Sequence, residues 1–211
     1  MAIFRNGPNG GLTGKFGSVI AYQLNGQDII KGLPKKRKKK RKPTAREQIN
    51  RDKFAHMQAW LKPLLGFLKV GFKEYAPTFQ GFVAAKSYNS KHAFIQKEDG
   101  SWYIDPALAL VSFGSMTLPQ NMSMARDGDK IVIKWSNDVD YQPIDQAMVL
   151  AYIPEIGDVE YDLAAAKRHT GTASILLPRH SVGHEAHVYI AFVAYDHSAQ
   201  SNSYYLGAIT V

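Results

Sequence analysis

The sequence predicts an α+β protein: a basic N-terminal region of hairpin and helices over residues 1–100, then an all-β half over residues 101–211. Three observations carry this. Asn25-Gly26 stands between two β-branched apolar runs. An apolar stripe at helical spacing starts behind a capping residue, Thr44. From about Trp102 the apolar period changes to that of strands, with turn residues between short segments.

The first element lies in residues 15–33, KFGSVIAYQLNGQDIIKGL. A type I′ turn needs φ > 0 at both central residues, and Asn-Gly meets that need. Strands are expected near 15–24 and 27–33. The glycines before them (Gly7, Gly10, Gly11, Gly14, Gly17) predict an irregular arm. A lone two-stranded hairpin is marginal in water, so this one must pack on the chain's body or on another molecule.

Next comes Lys35–Lys42, KKRKKKRK, extended by self-repulsion and ended by Pro43. Thr44 and Glu47 match a capping box. Behind them Ile49, Phe54, Met57, Trp60, Leu61, Leu64, Leu65 and Leu68 form one apolar stripe. Proline breaks a helix interior but suits a first turn. Helices are therefore expected at 45–62 and 63–74, kinked at Pro63. Residues 78–95 allow a third helix, with Phe79, Phe82, Val83 and Lys86 on one face.

Seven segments follow: WYIDPALALVSFG, NMSMARDGDKIVIKWS, QAMVLAYIP, DVEYDLAAA, TASILLP, HVYIAFVAYD and SYYLGAITV. Most alternate apolar and polar, and turn residues such as Asp127-Gly128, Gly157, Gly171 and Gly183 separate them. Strands at this spacing predict an antiparallel sandwich of immunoglobulin or fibronectin type. Trp135 and Tyr189 are its natural core residues.

Composition narrows the function. The chain of 211 residues has 26 Lys+Arg, 18 Asp+Glu and no cysteine. Disulfides, thiolate nucleophiles and Cys-containing zinc sites are thereby removed. Without the eight residues Lys35–Lys42 the charges balance at 18 against 18. Residues 1–100 carry 20 basic and 6 acidic side chains, and residues 101–211 carry 6 and 12. Such polarity permits attraction between copies. No signal-peptide-like run is visible, and no window approaches the roughly 18 apolar residues of a membrane span. A soluble, cytoplasmic protein is expected, with a virion or other assembly as the alternative location.

Four groups of residues together resemble a known family. They are Gly14-Lys15-Phe16-Gly17 with Val19 to Tyr22 and Gly26; the basic run with Pro43, Thr44, Gln48, Arg51, Phe54, Leu61, Pro63 and Leu64; Phe67 to Phe72; and His187 to Phe192 with Ser201 to Ser203 and Tyr205 to Gly207. The sequence is similar to an uncharacterised family of Bacteroidota proteins, a domain of unknown function. The resemblance spans nearly the whole chain. It implies a bacterial or bacteriophage source and assigns no catalytic residue, cofactor or substrate. The unbroken length of the basic run departs from the more mixed segment expected of relatives.

The chemistry-bearing residues are few. Lys35, Lys36, Arg37, Lys38, Lys39, Lys40, Arg41 and Lys42, extended by Arg46, can neutralise phosphates and release condensed counterions. The bland alternative is a solvated linker, but eight unrelieved positive charges cost self-repulsion. An anionic membrane surface ranks below nucleic acid as partner. Trp60 and the apolar stripe, which follow the run, are what bring it into consideration. Phe16 and Tyr22 are read as hairpin core, with base stacking the alternative. His180, His184 and His187 lie near Glu185, but Pro178 and Gly183 predict a turn that keeps the rings apart, so no metal site is expected. Gly10 to Lys15 fails as a phosphate loop: Asn9 stands where the first glycine belongs, Phe16 where Ser or Thr belongs, and a strand follows. No cofactor is expected. The leading expectation is a non-enzymatic, sequence-nonspecific nucleic-acid-binding protein. The alternative is a structural, self-assembling protein of a particle, filament or phage virion.

Overall fold

The computed structural model describes residues 2–4, 10–24, 26–35, 41–75, 80–98, 100–137, 141–177 and 182–211. The chain divides into two compact units, Met1–Thr44 and Ala45–Val211. The architecture is α+β, with three α-helices and antiparallel sheets.

The N-terminal unit is a four-stranded antiparallel sheet in sequential order: β1 (Ala2–Phe4), β2 (Leu12–Phe16), β3 (Val19–Leu24) and β4 (Gln27–Gly32). The register Leu24↔Gln27 leaves a two-residue connection, as the Asn25-Gly26 pair predicts. Gly26 takes φ 79; Asn25 lies outside the described residues. Two expectations change here. The strand expected over 15–24 is broken at Gly17-Ser18 by a second tight turn, with Phe16 opposite Val19 and Gly17 at φ 54. The glycine-rich arm is also not irregular throughout, because its ends pair as β1 and β2. Pairing of distant stretches, which local sequence does not report, overrides the glycine content.

This sheet is a single layer. Among its described side chains only Ala21 is buried, while Phe16, Leu24 and Ile30 are 69%, 49% and 65% exposed. The register puts Lys15, Ile20 and Lys31 in one cross-strand row, with Tyr22 on the same face. Phe16, Val19, Ala21 and Ile30 occupy the opposite face.

The second unit begins with α1 (Ala45–Leu61), α2 (Leu65–Gly71) and α3 (Gly81–His92). Pro63 parts the first two, but it lies in the connecting turn and not at the first position of a helix, and α2 is shorter than the 63–74 expected. The apolar stripe is buried only from its second half: Met57, Trp60, Leu61, Leu64 and Leu68 are inside, but Ile49, Phe54 and Leu65 are exposed. The Phe54 ring instead receives the Lys86 ammonium at 4.1 Å. On α3 the fully buried residues are Gly81, Ala84, Ala85 and Asn89; Phe82 is half-buried against the same core, and Val83 is exposed. Small side chains let the α3 backbone lie against α2, where a Cβ on Gly81 would sit 2.9 Å from Lys69 Cα. Phe79, part of the face expected from the sequence, lies outside the described residues.

The first of the seven expected strand segments is mostly not a strand. Only β6 (Trp102–Ile104) forms, paired with β5 (Phe94–Gln96). Asp105 then caps a turn through Ala107 N at 2.9 Å, and no further strand forms before β7, only an isolated bridge at Met116. The second segment supplies two strands, β7 (Ser123–Asp127) and β8 (Lys130–Lys134), around Gly128. The others become β9 (Gln146–Ile153), β10 (Asp158–Lys167), β11 (Thr172–Leu176), β12 (Glu185–Val193) and β13 (Tyr204–Thr210).

These strands form two antiparallel sheets, β10-β9-β12-β13 and β11-β8-β7. One core joins them: Val149, Ala151, Val188, Ile190 and Phe192 meet Ile131, Ile133, Ala173 and Ile175, with Trp135 among them. The alternate residues of β9 and β12 (Met148, Leu150, Tyr152, Tyr189, Ala191, Val193) point the other way into a second core with the three helices. The four-stranded sheet is thus the middle of three layers. Its central strands are buried on both faces, which is why they read as unbroken apolar runs and not as an alternation.

Candidate functional site

Charge is sharply divided between the two units. Residues 1–44 contain eleven Lys and Arg against one acid, Asp28; residues 45–211 contain fifteen against seventeen acids. Lys35 follows β4 by three residues, and Arg46 is the second residue of α1. Lys35, Arg41, Lys42 and Arg46 are all exposed. Lys36, Arg37, Lys38, Lys39 and Lys40 lie outside the described residues. On the sheet, the Lys31 ammonium stands 5.0 Å from the Tyr22 ring centroid. That face therefore offers Lys15, Lys31 and an aromatic ring side by side. Phe16, read from sequence as core, is on the other face and exposed.

In the second unit several cations are held by rings. Lys53 Nζ lies 3.2 Å from the Trp102 centroid, and Lys97 Nζ 5.2 Å from that of Tyr103. Among the described residues no helix is long and apolar enough to cross a membrane.

The remaining motifs take ordinary places. Residues 12–16 of the glycine-rich stretch form β2, with no helix following. His184 Nδ1 meets Glu155 Oε2 at 2.7 Å, and His187 Nδ1 meets the Tyr205 hydroxyl at 2.9 Å. Burial lowers the His187 pKa, opposed by Glu185, Asp105 and Glu155. His180 lies outside the described residues. Among the described residues no three His, Asp or Glu side chains are placed to hold a metal.

Two grooves that the sequence did not announce lie where α1 meets the sheet. One, of about 450 Å3, is lined by His56, Trp60, Tyr152, Pro154 and Glu155. The other, of about 250 Å3, adds Tyr103, Pro106, Glu185 and His187. Their residues come from four distant stretches, so no local signal could have found them.

These features define a cysteine-free α+β protein with a strongly cationic, single-layer N-terminal sheet and a three-layer body. The chain belongs to the Family of unknown function (DUF6266), whose model matches residues 11–207. That match bears out the resemblance to a domain of unknown function. No curated protein matches the sequence.

Proposed function

We propose that this protein is a non-enzymatic, sequence-nonspecific nucleic-acid-binding protein that acts through Lys35–Lys42 and Arg46. The observation that carries the reading is the concentration of eleven cations against a single carboxylate in a 44-residue unit. Polyphosphate backbones reward such a segment through counterion release, without regard to sequence. Lys15, Lys31 and Tyr22 on one open face add a stacking surface beside the charge. The strand order, three strands facing four around one core, supports an immunoglobulin- or fibronectin-like sandwich in the second unit. Its role here is a scaffold or partner surface, in the bacterial cytoplasm or a particle.

The test is fluorescence anisotropy with single-stranded DNA, duplex DNA and RNA across a salt series. The native chain is compared with one in which residues 35–42 are Ser and Gly. Eight phosphate contacts on duplex DNA give a log–log slope of about −7, and the variant loses most of it. Weak, salt-independent binding by both proteins refutes the proposal.

The second reading, a structural self-assembling protein, rests on the exposed apolar side chains of the single-layer sheet: Phe16, Leu24 and Ile30. Light scattering that finds a strict monomer at high concentration removes it.

A further inference from the structure

The strand register sorts the N-terminal sheet into two unlike faces. One holds the row Lys15, Ile20 and Lys31, with Tyr22 beside it. The other holds two rows across β2, β3 and β4: Phe16–Val19–Gly32 and Gly14–Ala21–Ile30. Phe16 and Ile30 are 69% and 65% exposed. Each row therefore has a large, exposed apolar side chain at one end and a glycine at the other, and the two rows run in opposite senses. A Cβ on Gly32 would meet nothing within 4 Å, so the space above it is open. Gly14 takes φ 116, where a side chain is strained.

A small sheet gains stability when an apolar face is covered. Ala21 is the only buried side chain among those described in this unit, so nothing in the sheet itself supplies that cover. The shape of the face selects the occupant. A two-fold axis along β3, midway between two such faces, lays β2 of one copy over β4 of the other. Phe16 then falls on Gly32 of the second copy and Ile30 on its Gly14, and each projection meets a gap on both sides at once. Such self-complementarity belongs to an isologous contact. Charge agrees with shape. No described residue of β2, β3 or β4 on this face is Lys or Arg, so two copies meet with Lys15 and Lys31 pointing away. An anionic bilayer would want cations around the apolar side chains, and here they lie on the far side of the sheet.

We propose that two copies of this protein pack face to face through this side of the N-terminal sheet, each Phe16 seated over Gly32 of the other and each Ile30 over Gly14. The proposal rests on the self-assembly reading and gives it a surface and a symmetry. The three strands, of five, six and six residues, present a footprint of about 250 Å2 per copy, well under the roughly 800 Å2 per partner of a standard interface. The dimer is therefore weak, with a Kd of about 10–100 µM.

The test is sedimentation equilibrium of the full chain from about 1 to 500 µM, bracketing that Kd, after nuclease treatment and in about 0.5 M salt, which screens charge. A monomer–dimer equilibrium is expected. Gly32→Phe fills the gap in each copy and raises Kd about tenfold or more at unchanged melting temperature. Phe16→Ala combined with Gly32→Phe moves the projection to the other end of its row and restores Kd to within about threefold. The chain has no cysteine, which permits a second measurement. Val19→Cys lies on the axis and cross-links two copies through a short bis-maleimide, whereas Lys15→Cys, on the opposite face, does not. A strict monomer overturns the proposal and the self-assembly reading together. Association that Gly32→Phe leaves unchanged or strengthens, or that both cysteines cross-link equally, overturns this face alone. A monomer that floats with anionic vesicles, and loses that with Phe16→Ala, assigns the face to lipid and likewise overturns it.

Discussion

Replacing Gly81 by alanine tests the closest backbone approach among the helices. The new Cβ falls onto the Leu68 carbonyl oxygen and lies 2.9 Å from both the Leu68 carbonyl carbon and Lys69 Cα. These are backbone atoms of α2, held among Phe67, Leu68, Ala84 and Ala85, all 0% exposed. No side-chain rotation relieves the clash, so α3 must retreat and open that packing. Overpacking of this kind costs about 1–3 kcal/mol, and a rigid backbone obstacle puts it near the upper end. Alanine returns up to about 1 kcal/mol of helix propensity. The net loss is about 2 kcal/mol, or about 4–8 °C in Tm for a unit of this size. Gly66→Ala is the control. Its Cβ also collides, but with the Tyr161 hydroxyl and, at 2.8 Å, its Cζ, the end of a side chain 39% exposed. That ring can swing outward, giving up its edge contact with Phe67. The propensity gain offsets this, so stability changes by less than about 0.5 kcal/mol. Urea denaturation followed by far-UV circular dichroism measures both. Equal midpoints for Gly81→Ala and the native chain would refute the reasoning, as would a Gly66→Ala loss as large as that of Gly81→Ala.

Three further outcomes are expected. Tyr152→Phe removes the hydroxyl that donates to Trp60 O at 2.8 Å, one of the last-turn carbonyls of α1. Burial pushes that hydroxyl up to about 12, so it remains a donor at neutral pH, and its loss lowers unfolding free energy by about 1–2 kcal/mol in denaturant titration. Asn89→Ala takes both partners from Leu110, whose N–H donates to Asn89 Oδ1 at 2.9 Å and whose carbonyl accepts from Nδ2 at 2.8 Å; a loss below about 1 kcal/mol by the same assay would show that water replaces the side chain. Burial lowers the His187 pKa, so the ring is harder to protonate in the folded than in the unfolded chain. Its stabilising contribution is complete above the unfolded value near 6.5 and is lost as pH falls through the folded value. Melting curves from pH 7.5 down to 5 should therefore show a steeper acid decline for the native chain than for His187→Gln; parallel declines count against this assignment.

Some of this architecture is local information. Asn25-Gly26 predicts a two-residue connection, and Gly26 takes the positive φ that such a turn needs. Pro63 parts α1 from α2 because it has no N–H to give. The spacing of Met57, Trp60, Leu61, Leu64 and Leu68 reports a buried helical face, and the apolar segments from 146 onward each became a strand. The charge division, too, is visible in composition alone, since Lys35–Lys42 holds the entire excess.

The partners of these elements are not local, and there the tertiary structure decided. Ile49 and Phe54 fit the stripe as well as Met57 does, yet they stay 48% and 57% exposed, and the Phe54 ring meets the Lys86 ammonium and not an apolar core. The pattern around Phe82 did not single out Gly81, Ala84 and Ala85; the close seat of α3 on α2 buries them fully, while Phe82 is only half-buried. The absence of alternation in β9 and β12 has meaning only once helices cover one face and a second sheet the other. Nothing local to Arg168, which follows Lys167, marks it as buried. Its burial is set by Thr117, Tyr141, Asp145 and Phe192, none closer than 23 positions along the chain. Turn geometry, caps and periodicity are properties of a few consecutive residues, so the sequence alone determines them. Burial of a single polar group depends on which distant segments close around it, and only the folded chain supplies that.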